Sequence, residues 1–341
     1  MGRAANSVEE LLSSFDIVER AALTTDDGYS GASIERVIAR DGTSYVLKRM
    51  AIEHDWIMRA TNDHRCRAAA IWVEGLLERA PTQIDHAIVG AAQDGDGWAL
   101  FMRDVGASML PPAGIVARRS WERIFVAAAA LHAAFWREDL PSFLCSIDDR
   151  LTALGPEVGV TEVGEGSPAP PELGKGWQIL AETVPADVAE PTIAIASGEG
   201  PPLAAALREV GSTFLHADLK FGNLGLGDDR VVMLDWQVCA DGPPVLDLAW
   251  FIAINATRCE GTREDLIDGF REALARALGS RFDPGAWERS LDLGLLAGFA
   301  QLAWNKAHDA VLAEDPADRA REAADLAWWV DRARAGLERL G

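Results

Sequence analysis

The 341-residue sequence lacks any run of about eighteen apolar residues, so it predicts no membrane-spanning helix. The longest apolar runs, residues 124–136 and 245–254, are interrupted by His132 and Asp247. The first residues are acidic where a secretory signal would be basic and then apolar, so a signal peptide is not expected.

Cysteine is scarce, and no two cysteines stand in a Cys-x-x-Cys pair. The chain has four, Cys66, Cys145, Cys239 and Cys259. Zinc-ribbon and thioredoxin-type redox sites are therefore not supported. A chain of this length can stabilise itself by burying apolar surface, so we expect reduced cysteines and a cytoplasmic location.

Positive charge is also scarce, since 32 Lys and Arg face 53 Asp and Glu, for a net charge of −21. Phosphate-rich nucleic acids and anionic membranes would be repelled, so neither is an expected partner. Only four lysines occur, and two of them, Lys48 and Lys220, fall inside segments that carry chemistry.

Three common catalytic signatures are missing from the sequence. There is no Gly-x-x-x-x-Gly-Lys-Ser/Thr, no His-Glu-x-x-His and no Gly-x-Ser-x-Gly. P-loop kinases, zinc proteases of that type and serine hydrolases with a nucleophile elbow are therefore not supported.

The first hundred residues are patterned as strands with a helix. Two β-rich runs, 34–39 and 44–50, flank Asp41-Gly42, which predicts a hairpin. Residues 65–79 have a helical apolar stripe that Pro81 ends. Two more strands are predicted at 84–91 and 98–102.

Helical patterns dominate from about residue 106 onward. We predict helices at 120–137, 247–256, 262–278, 284–312 and 316–340, and a loop at 155–171, which is rich in Gly, Pro and Glu. The expected fold class is therefore α+β, with a β-rich N-terminal lobe at 1–105 and a larger helical C-terminal lobe at 106–341.

The residues that best indicate a reaction lie between 214 and 235. His216-x-Asp218 is followed by Asn223, and an apolar run ends in Asp235 twelve positions later. Phosphoryl transfer needs one carboxylate to orient the acceptor hydroxyl and hard oxygen ligands for Mg²⁺. We assign the first role to Asp218 and the metal to Asn223 and Asp235.

These segments resemble the aminoglycoside phosphotransferase and choline-kinase-like family, and are closest to its ecdysteroid-kinase-like branch. That family commonly has His-Gly-Asp-x-x-x-x-Asn, where this chain has Ala217 in place of Gly, and a later Asp-Leu-Ala, matched by residues 247–249. The resemblance implies a bilobal protein-kinase-like fold and ATP with Mg²⁺ as cofactors. It also implies that Asp247 braces the catalytic loop.

The same resemblance suggests further roles. His216 is expected to be scaffold. Lys220 stands where protein serine/threonine kinases have a lysine that contacts the transferred phosphate, so we expect it to stabilise charge on that group. Residues 45–48 resemble the kinase strand whose lysine contacts the α- and β-phosphates. The expected nucleotide-binding residues are Lys48, Ser30 and Gly31 of the loop 28–33, and Met102, Arg103 and Val105 at the adenine.

One departure from the family concerns the acidic partner of Lys48. The family's glutamate is expected near 66–69, where this chain has Cys-Arg-Ala-Ala. Glu74 and Glu78 follow on the predicted helix, but we assign the role to neither. The missing glutamate is the support for an alternative function, a catalytically silent ATP-binding pseudokinase or scaffold.

A small acceptor fits this sequence better than a protein acceptor. Only eleven residues separate Asp235 from Asp247, too few for a peptide-binding activation segment, and Ala217 stands where regulated protein kinases have Arg. We expect a hydroxyl on an amino-sugar, aminoglycoside or amino-alcohol. The sequence does not indicate the oligomeric state.

Candidate walls of the acceptor pocket are Trp250, Asn255, Trp304, Asn305, His308, Trp328 and Trp329, with Asp309 and Asp331 nearby.

Overall fold

The computed structural model describes residues 4–23, 30–162 and 169–340, and within them it has the expected α+β architecture. In chain order the strands are β1 Ile17–Ala22, β2 Ser33–Ala39, β3 Ser44–Met50, β4 Ile84–Asp85, β5 Ile88–Asp94, β6 Gly97–Arg103, β7 Thr213–Leu215, β8 Leu224–Leu226, β9 Val231–Met233 and β10 Ala240–Gly242.

The helices lie mostly after the first sheet. They are α1 Val8–Leu12, α2 Trp56–Ala60, α3 Arg67–Val73, α4 Arg118–Ala134, α5 Ile147–Thr152, α6 Val158–Thr161, α7 Ala169–Thr183, α8 Ala186–Ala194, α9 Pro201–Glu209, α10 Val245–Asn255, α11 Arg263–Leu278, α12 Trp287–Leu312 and α13 Pro316–Glu338.

One antiparallel sheet forms the N-terminal part, with the strand order β1-β2-β3-β6-β5. The predicted hairpin is β2–β3, whose register pairs Ile34 with Lys48. Apolar residues alternate along the strands, so each face of the sheet has its own core. One face buries Leu47 and Phe101 against Val8 and Leu12 of α1. The opposite face carries Met50 and Leu100 into the main core.

The helix predicted at 65–79 is shorter than its apolar stripe indicates. The α-helix runs from Arg67 to Val73, and a 3-10 turn follows at Leu77–Arg79. Gly75 lies between them at φ +78°, a left-handed conformation that ends a right-handed helix. The apolar period continues across this break because both pieces face the same core.

The strand predicted at 84–91 is two separate strands. Ala87 has φ +58°, which turns the chain between β4 and β5. β4 pairs in parallel with β9, next to Asp235, while β5 pairs with β6 in the large sheet. The residues before this turn therefore link the sheet to the segment that ends in Asp235.

The helical part is organised around α12, which is buried along most of its 26 residues. A helix that is apolar around its whole circumference belongs in a core. Gly294 and Gly298 let α10 approach closely, since a Cβ on Gly298 would lie 2.7 Å from Ala249 Cβ. This contact fixes the position of α10, which carries Asp247.

The loop predicted at 155–171 is partly helical. It contains α6, and its last two prolines lie in the first turn of α7, where proline is tolerated. Residues 163–168 lie outside the described residues. The helices α5, α7, α8 and α9 were not predicted, because α5 has only six residues and the other three contain glycine or proline.

All four cysteines are buried and unpaired, with no disulfide between them. None of the helices in the described ranges 4–23, 30–162 and 169–340 is long and apolar enough to cross a membrane.

Two glycines on α7 provide a matched test of the packing between α7 and α12. A Cβ on Gly176 would lie 2.4 Å from the backbone oxygen of Trp304, whereas one on Gly174 would meet only Gly159 O at 3.8 Å. We expect Gly176→Ala to lower the free energy of unfolding by about 1–3 kcal/mol through overpacking. Gly174→Ala should be neutral or stabilise by up to about 1 kcal/mol. Urea unfolding measures both, and equal effects would contradict this packing.

Candidate active site

The residues singled out between 214 and 235 form two neighbouring turns. The first leaves β7 and runs through His216–Asn223 to β8, and the second follows β9 and contains Asp235. β8 and β9 pair antiparallel, with Leu224 opposite Met233, and Leu234 N donates to Asn223 O at 2.9 Å. This pairing brings together two segments that are twelve positions apart in sequence.

Asp247 at the start of α10 holds the first turn by its backbone. Its Oδ1 accepts from Ala217 N at 2.7 Å, and its Oδ2 accepts from His216 N at 3.2 Å. His132 Nε2 lies 2.9 Å from the same Oδ2. Burial is the strongest single influence and acts to raise the pKa of Asp247, but the imidazoles of His132 and His216 and the hydrogen bond from Ala217 N together bring the pKa below its usual value.

Both turns contain a non-glycine residue in the left-handed region. Ala217 has φ +64° and Asp235 has φ +59°. An alanine in this conformation costs about 1–2 kcal/mol, and such strain persists where the surroundings hold it in place. At position 217 the restraint is the hydrogen bond to Asp247, and this geometry explains why glycine suits the position in related sequences.

His216 is fully buried, and both of its ring nitrogens are engaged. Nε2 donates to Leu234 O at 2.9 Å, and Nδ1 accepts from Asp218 N at 3.2 Å. Burial lowers the pKa of the imidazole, so it is neutral near pH 7. The ring joins the two turns, and its geometry agrees with the scaffold role that the sequence suggested.

Asp218 has a partner on each carboxylate oxygen. Oδ2 accepts from Asn223 Nδ2 at 2.8 Å and lies 3.6 Å from Lys220 Nζ. Oδ1 accepts from Trp250 Nε1 at 2.9 Å. The three predicted residues of this turn are therefore assembled around one carboxylate, with an indole that the sequence analysis considered only as a pocket wall.

Lys48 reaches across from β3 to the second turn. Its Nζ lies 2.9 Å from Asp235 Oδ1. Burial is the strongest single influence and acts to raise the pKa of Asp235, but the charge and hydrogen bond of Lys48, together with the weaker effects of Lys220 and His216, hold the pKa below its usual range. Glu74, one of the two partners left open, is bound by Arg65 at 2.8 Å instead.

The predicted residues that come together line one cavity of about 490 Å³ between the sheet and the two turns. This volume is in the range of small-molecule sites. The lining includes these predicted residues: Ser30, Lys48, Met102, Asp218, Lys220, Asn223 and Asp235. It also includes side chains that we did not predict, among them Ile57, Ala68, His86, Gln237 and Val238.

Three of the predicted nucleotide-binding residues are not among the described lining residues: Gly31, Arg103 and Val105. Gly31 packs against the chain instead, since a Cβ there would lie 1.9 Å from His54 O. Arg103 N already donates to Ala87 O at 2.9 Å, and its side chain pairs with Asp85. Residues 28 and 29 of the predicted phosphate loop lie outside the described residues.

A buried carboxylate, Asp55, was missed by the sequence analysis. It accepts from Met58 N at 3.0 Å, as the N-cap of α2, and from Gln237 Nε2 at 2.8 Å. Burial raises its pKa, although its hydrogen bonds and the charge of Lys48 oppose that effect. Asp before a helix was the available signal, but its partner Gln237 is 182 positions away.

Arg67 lies where the family's glutamate was expected, and its contacts are structural. It is 1% exposed and donates to Phe143 O at 2.9 Å, Gln237 O at 3.0 Å and Thr61 O at 3.1 Å. The arginine therefore ties α3 to both the helical part and the residues that follow Asp235.

Most of the predicted acceptor walls lie in helix packing. Trp329 is fully buried and stacks with Phe299, and Trp328 donates to Glu264 Oε1 at 3.1 Å. Asn255 holds the catalytic turn, since Oδ1 accepts from Phe221 N at 3.0 Å. Among the described residues these predicted walls do not line the cavity: Trp250, Asn255, Trp304, Asn305, His308, Asp309, Trp328, Trp329 and Asp331.

A lysine from the sheet, a turn with a braced aspartate and a second aspartate after a short strand together define a protein-kinase-like phosphotransferase. The sequence profile of the phosphotransferase enzyme family (APH) matches residues 26–290, and the chain belongs to this family. The predicted family, fold and enzyme class are thus confirmed. A comparison with curated protein sequences gave no significant match.

The chain is also similar to solved structures of low sequence identity. The choline kinase LicA from Streptococcus pneumoniae is 12% identical, with a TM-score of 0.50 over 97% of this chain and 96% of its own. An aminoglycoside phosphotransferase from Alicyclobacillus acidocaldarius subsp. acidocaldarius DSM 446 is 20% identical, with a TM-score of 0.41 over 95% and 92%. Spectinomycin phosphotransferase APH(9)-Ia, solved with ADP and its antibiotic, is 12% identical, with a TM-score of 0.46 over 97% of each chain.

The bracing role of Asp247 predicts a large loss of stability on its removal. Asp247→Ala leaves two backbone N–H groups and His132 without their acceptor in a buried site, and we expect a loss of about 3–5 kcal/mol. Urea unfolding measures the change. Asp229→Ala, an exposed carboxylate, is the control and should stay within about 0.5 kcal/mol. Equal midpoints for the two variants would contradict the bracing role.

Proposed function

We propose that this protein transfers the γ-phosphoryl group of ATP to a hydroxyl group of a small molecule, with Mg²⁺ as the required metal. The observation that carries the proposal is the assembly of Asp218, Asn223, Lys48 and Asp235 around one cavity. Family membership supports phosphoryl transfer as the reaction. The nucleotide, the metal and the acceptor are the parts that the experiments below decide.

The donor set formed by Asn223 of the first turn and Asp235 of the second turn suits Mg²⁺. Asn223 uses its amide nitrogen to donate to Asp218, which leaves its carbonyl oxygen for the metal. Asp235 uses Oδ1 for Lys48, which leaves Oδ2. Among the described residues there is no cluster of three His, Cys, Asp or Glu side chains that could hold a metal. Mg²⁺ in kinases needs only one or two protein oxygens, because phosphates and water complete its shell. When bound there, Mg²⁺ would neutralise charge on the β- and γ-phosphates.

The cavity offers two lysine side chains to an anion in a chain of net charge −21, and each lysine lies beside a carboxylate, Asp235 or Asp218. Lys48 and Lys220 both line it. Lys48 has a side chain 12% exposed, so its charge is weakly screened and attracts phosphate oxygens. In the proposed reaction Lys48 binds the nucleotide phosphates and Lys220 stabilises the transferred group.

Asp218 is the proposed base. Its two oxygens are held by Asn223 and Trp250, and each still has a lone pair for the acceptor hydroxyl. A carboxylate fixed in this way orients the hydroxyl toward the γ-phosphorus and takes its proton as the new bond forms. Removing it should affect the chemical step more than nucleotide binding.

Asp218→Asn tests this role. We expect kcat to fall by about 10²–10⁴-fold, the usual contribution of a general base. The affinity for Mg²⁺ with a non-hydrolysable ATP analogue, measured by calorimetry, should stay within about threefold of the wild type. Asp229→Asn, an exposed carboxylate on the turn before β9, should leave both quantities unchanged. Retention of full activity by Asp218→Asn would overturn the assignment.

The acceptor we propose carries an amine. The support is the net charge of −21, which attracts cations. Choline against 3,3-dimethylbutanol, and glucosamine against glucose, are pairs that differ in the charged group. We expect the amine to have about tenfold or higher kcat/KM, and the ratio to fall with added salt.

Two results of this panel would count against the proposal. Turnover of the neutral members alone would exclude an amine acceptor and retain the kinase. Binding of ATP–Mg²⁺ without phosphorylation of any panel member and without hydrolysis of ATP would favour the silent ATP-binding alternative. Thermal shift by ATP–Mg²⁺ is the measurement that separates that outcome from a chain that does not bind nucleotide.

A further inference from the structure

One helix, α10, contacts most residues of the first turn, His216–Asn223, which we call the catalytic turn. Asp247 accepts from the amides of residues 216 and 217. Trp250 donates to the side chain of residue 218. Asn255 donates to Leu219 O at 2.7 Å and accepts from the amide of residue 221. The helix therefore contacts residues 216–219 and 221, and Trp250 is its member that touches the proposed base.

The contact between Trp250 and Asp218 has a defined chemistry. An indole N–H can only donate, so it fixes an oxygen without exchanging a proton with it. The donor–acceptor distance of 2.9 Å is that of a good hydrogen bond. Since Asn223 holds Oδ2 from the other side, the two donors fix both the position and the rotation of the carboxylate.

A buried arginine holds the indole. The guanidinium of Arg150, on α5, lies 4.7 Å from the centroid of the Trp250 ring. Arg150 is 7% exposed and donates to Ala217 O at 3.0 Å. Its charge therefore lies between the strained residue of the turn and the ring that contacts the base. A cation over an indole attracts its π-electrons, which strengthens the N–H as a donor.

We propose that Trp250, held by Arg150, is a positioning residue for phosphoryl transfer, which orients Asp218 through one hydrogen bond to Oδ1. The inference rests on the proposed function, because it assigns a task to Asp218. It also differs from the sequence-based expectation that Trp250 is a wall of the acceptor pocket, since the indole points its polar atom at the base.

The two roles separate in the kinetics of Trp250→Phe. Loss of a hydrogen bond to a carboxylate should lower kcat by about 10- to 100-fold, while the KM values for ATP and acceptor stay within about threefold. Loss of an acceptor wall would instead raise the KM for the acceptor and leave kcat unchanged, and that result would overturn the inference. Equal kcat for the variant and the wild type would also overturn it.

Trp328→Phe is a matched control. Its indole also donates to a carboxylate, that of Glu264 at 3.1 Å, and it lies 5.2 Å from the guanidinium carbon atoms of Arg263 and Arg332. The chemical change is therefore the same, but the carboxylate concerned is Glu264, which is not the proposed base and is not among the described lining residues of the cavity. We expect kcat and both KM values to match the wild type.

A spectroscopic measurement tests the contact without any turnover. In protein labelled with ¹⁵N at the indoles, the chain's twelve tryptophans give one N–H signal each. Asp218→Ala should move one of them strongly upfield in proton shift, and that signal should be the one missing from Trp250→Phe. If no indole signal moves in Asp218→Ala, the hydrogen bond is absent and the inference is wrong.

The two levels of failure are distinguishable. If the wild type shows no turnover of any acceptor, the proposed function fails, and the indole spectrum of Asp218→Ala still decides whether Trp250 holds the carboxylate. If the wild type is active and Trp250→Phe keeps its kcat, the proposed function stands and this inference fails. A folded state with an unchanged thermal midpoint is required of each variant before its kinetics are interpreted.

Discussion

The site depends on one buried carboxylate, Asp247, which is 0% exposed and accepts three hydrogen bonds. A buried charge is tolerated where hydrogen bonds replace its lost hydration, and these three bonds do so for Asp247. The bonds hold Ala217 in a conformation that alanine seldom adopts. Because Ala217 is held in this way, its neighbour His216 contacts the second turn and its other neighbour, Asp218, lies in the cavity. The geometry of the reacting groups is therefore set by a residue that does not touch them.

The sequence predicted the local features well. The hairpin β2–β3, the catalytic turn and the long helices α12 and α13 follow from periods and turn residues that act over a few positions. It failed where a single residue overrides a period, as Gly75 does in α3 and Ala87 does between β4 and β5. The apolar pattern does not reveal such breaks, because the segments before and after each break face the same core.

Sequence reasoning found only part of the candidate site, again because it detects residues that are close together in the chain. Asp218, Asn223 and Asp235 are close in sequence, and their spacing carries the signal. The contact of Trp250 with Asp218 spans 32 positions, and that of Gln237 with Asp55 spans 182. Pairs of this kind are chosen by the packing of whole helices, so a single sequence shows the residue types without showing which ones meet. The partner of Lys48 illustrates the point, since Asp235 was assigned to the metal alone.

Arg67 has a consequence for control of the enzyme. In protein kinases the helix at this position can swing, and its glutamate makes or breaks the contact with the lysine as the switch between active and inactive states. Here the guanidinium is held by three carbonyl groups from separate parts of the chain, two of them buried and one partly buried. Moving α3 would break all three hydrogen bonds, at a cost of about 1–3 kcal/mol for each group left without a partner. These contacts therefore oppose in this chain the helix movement by which protein kinases are switched.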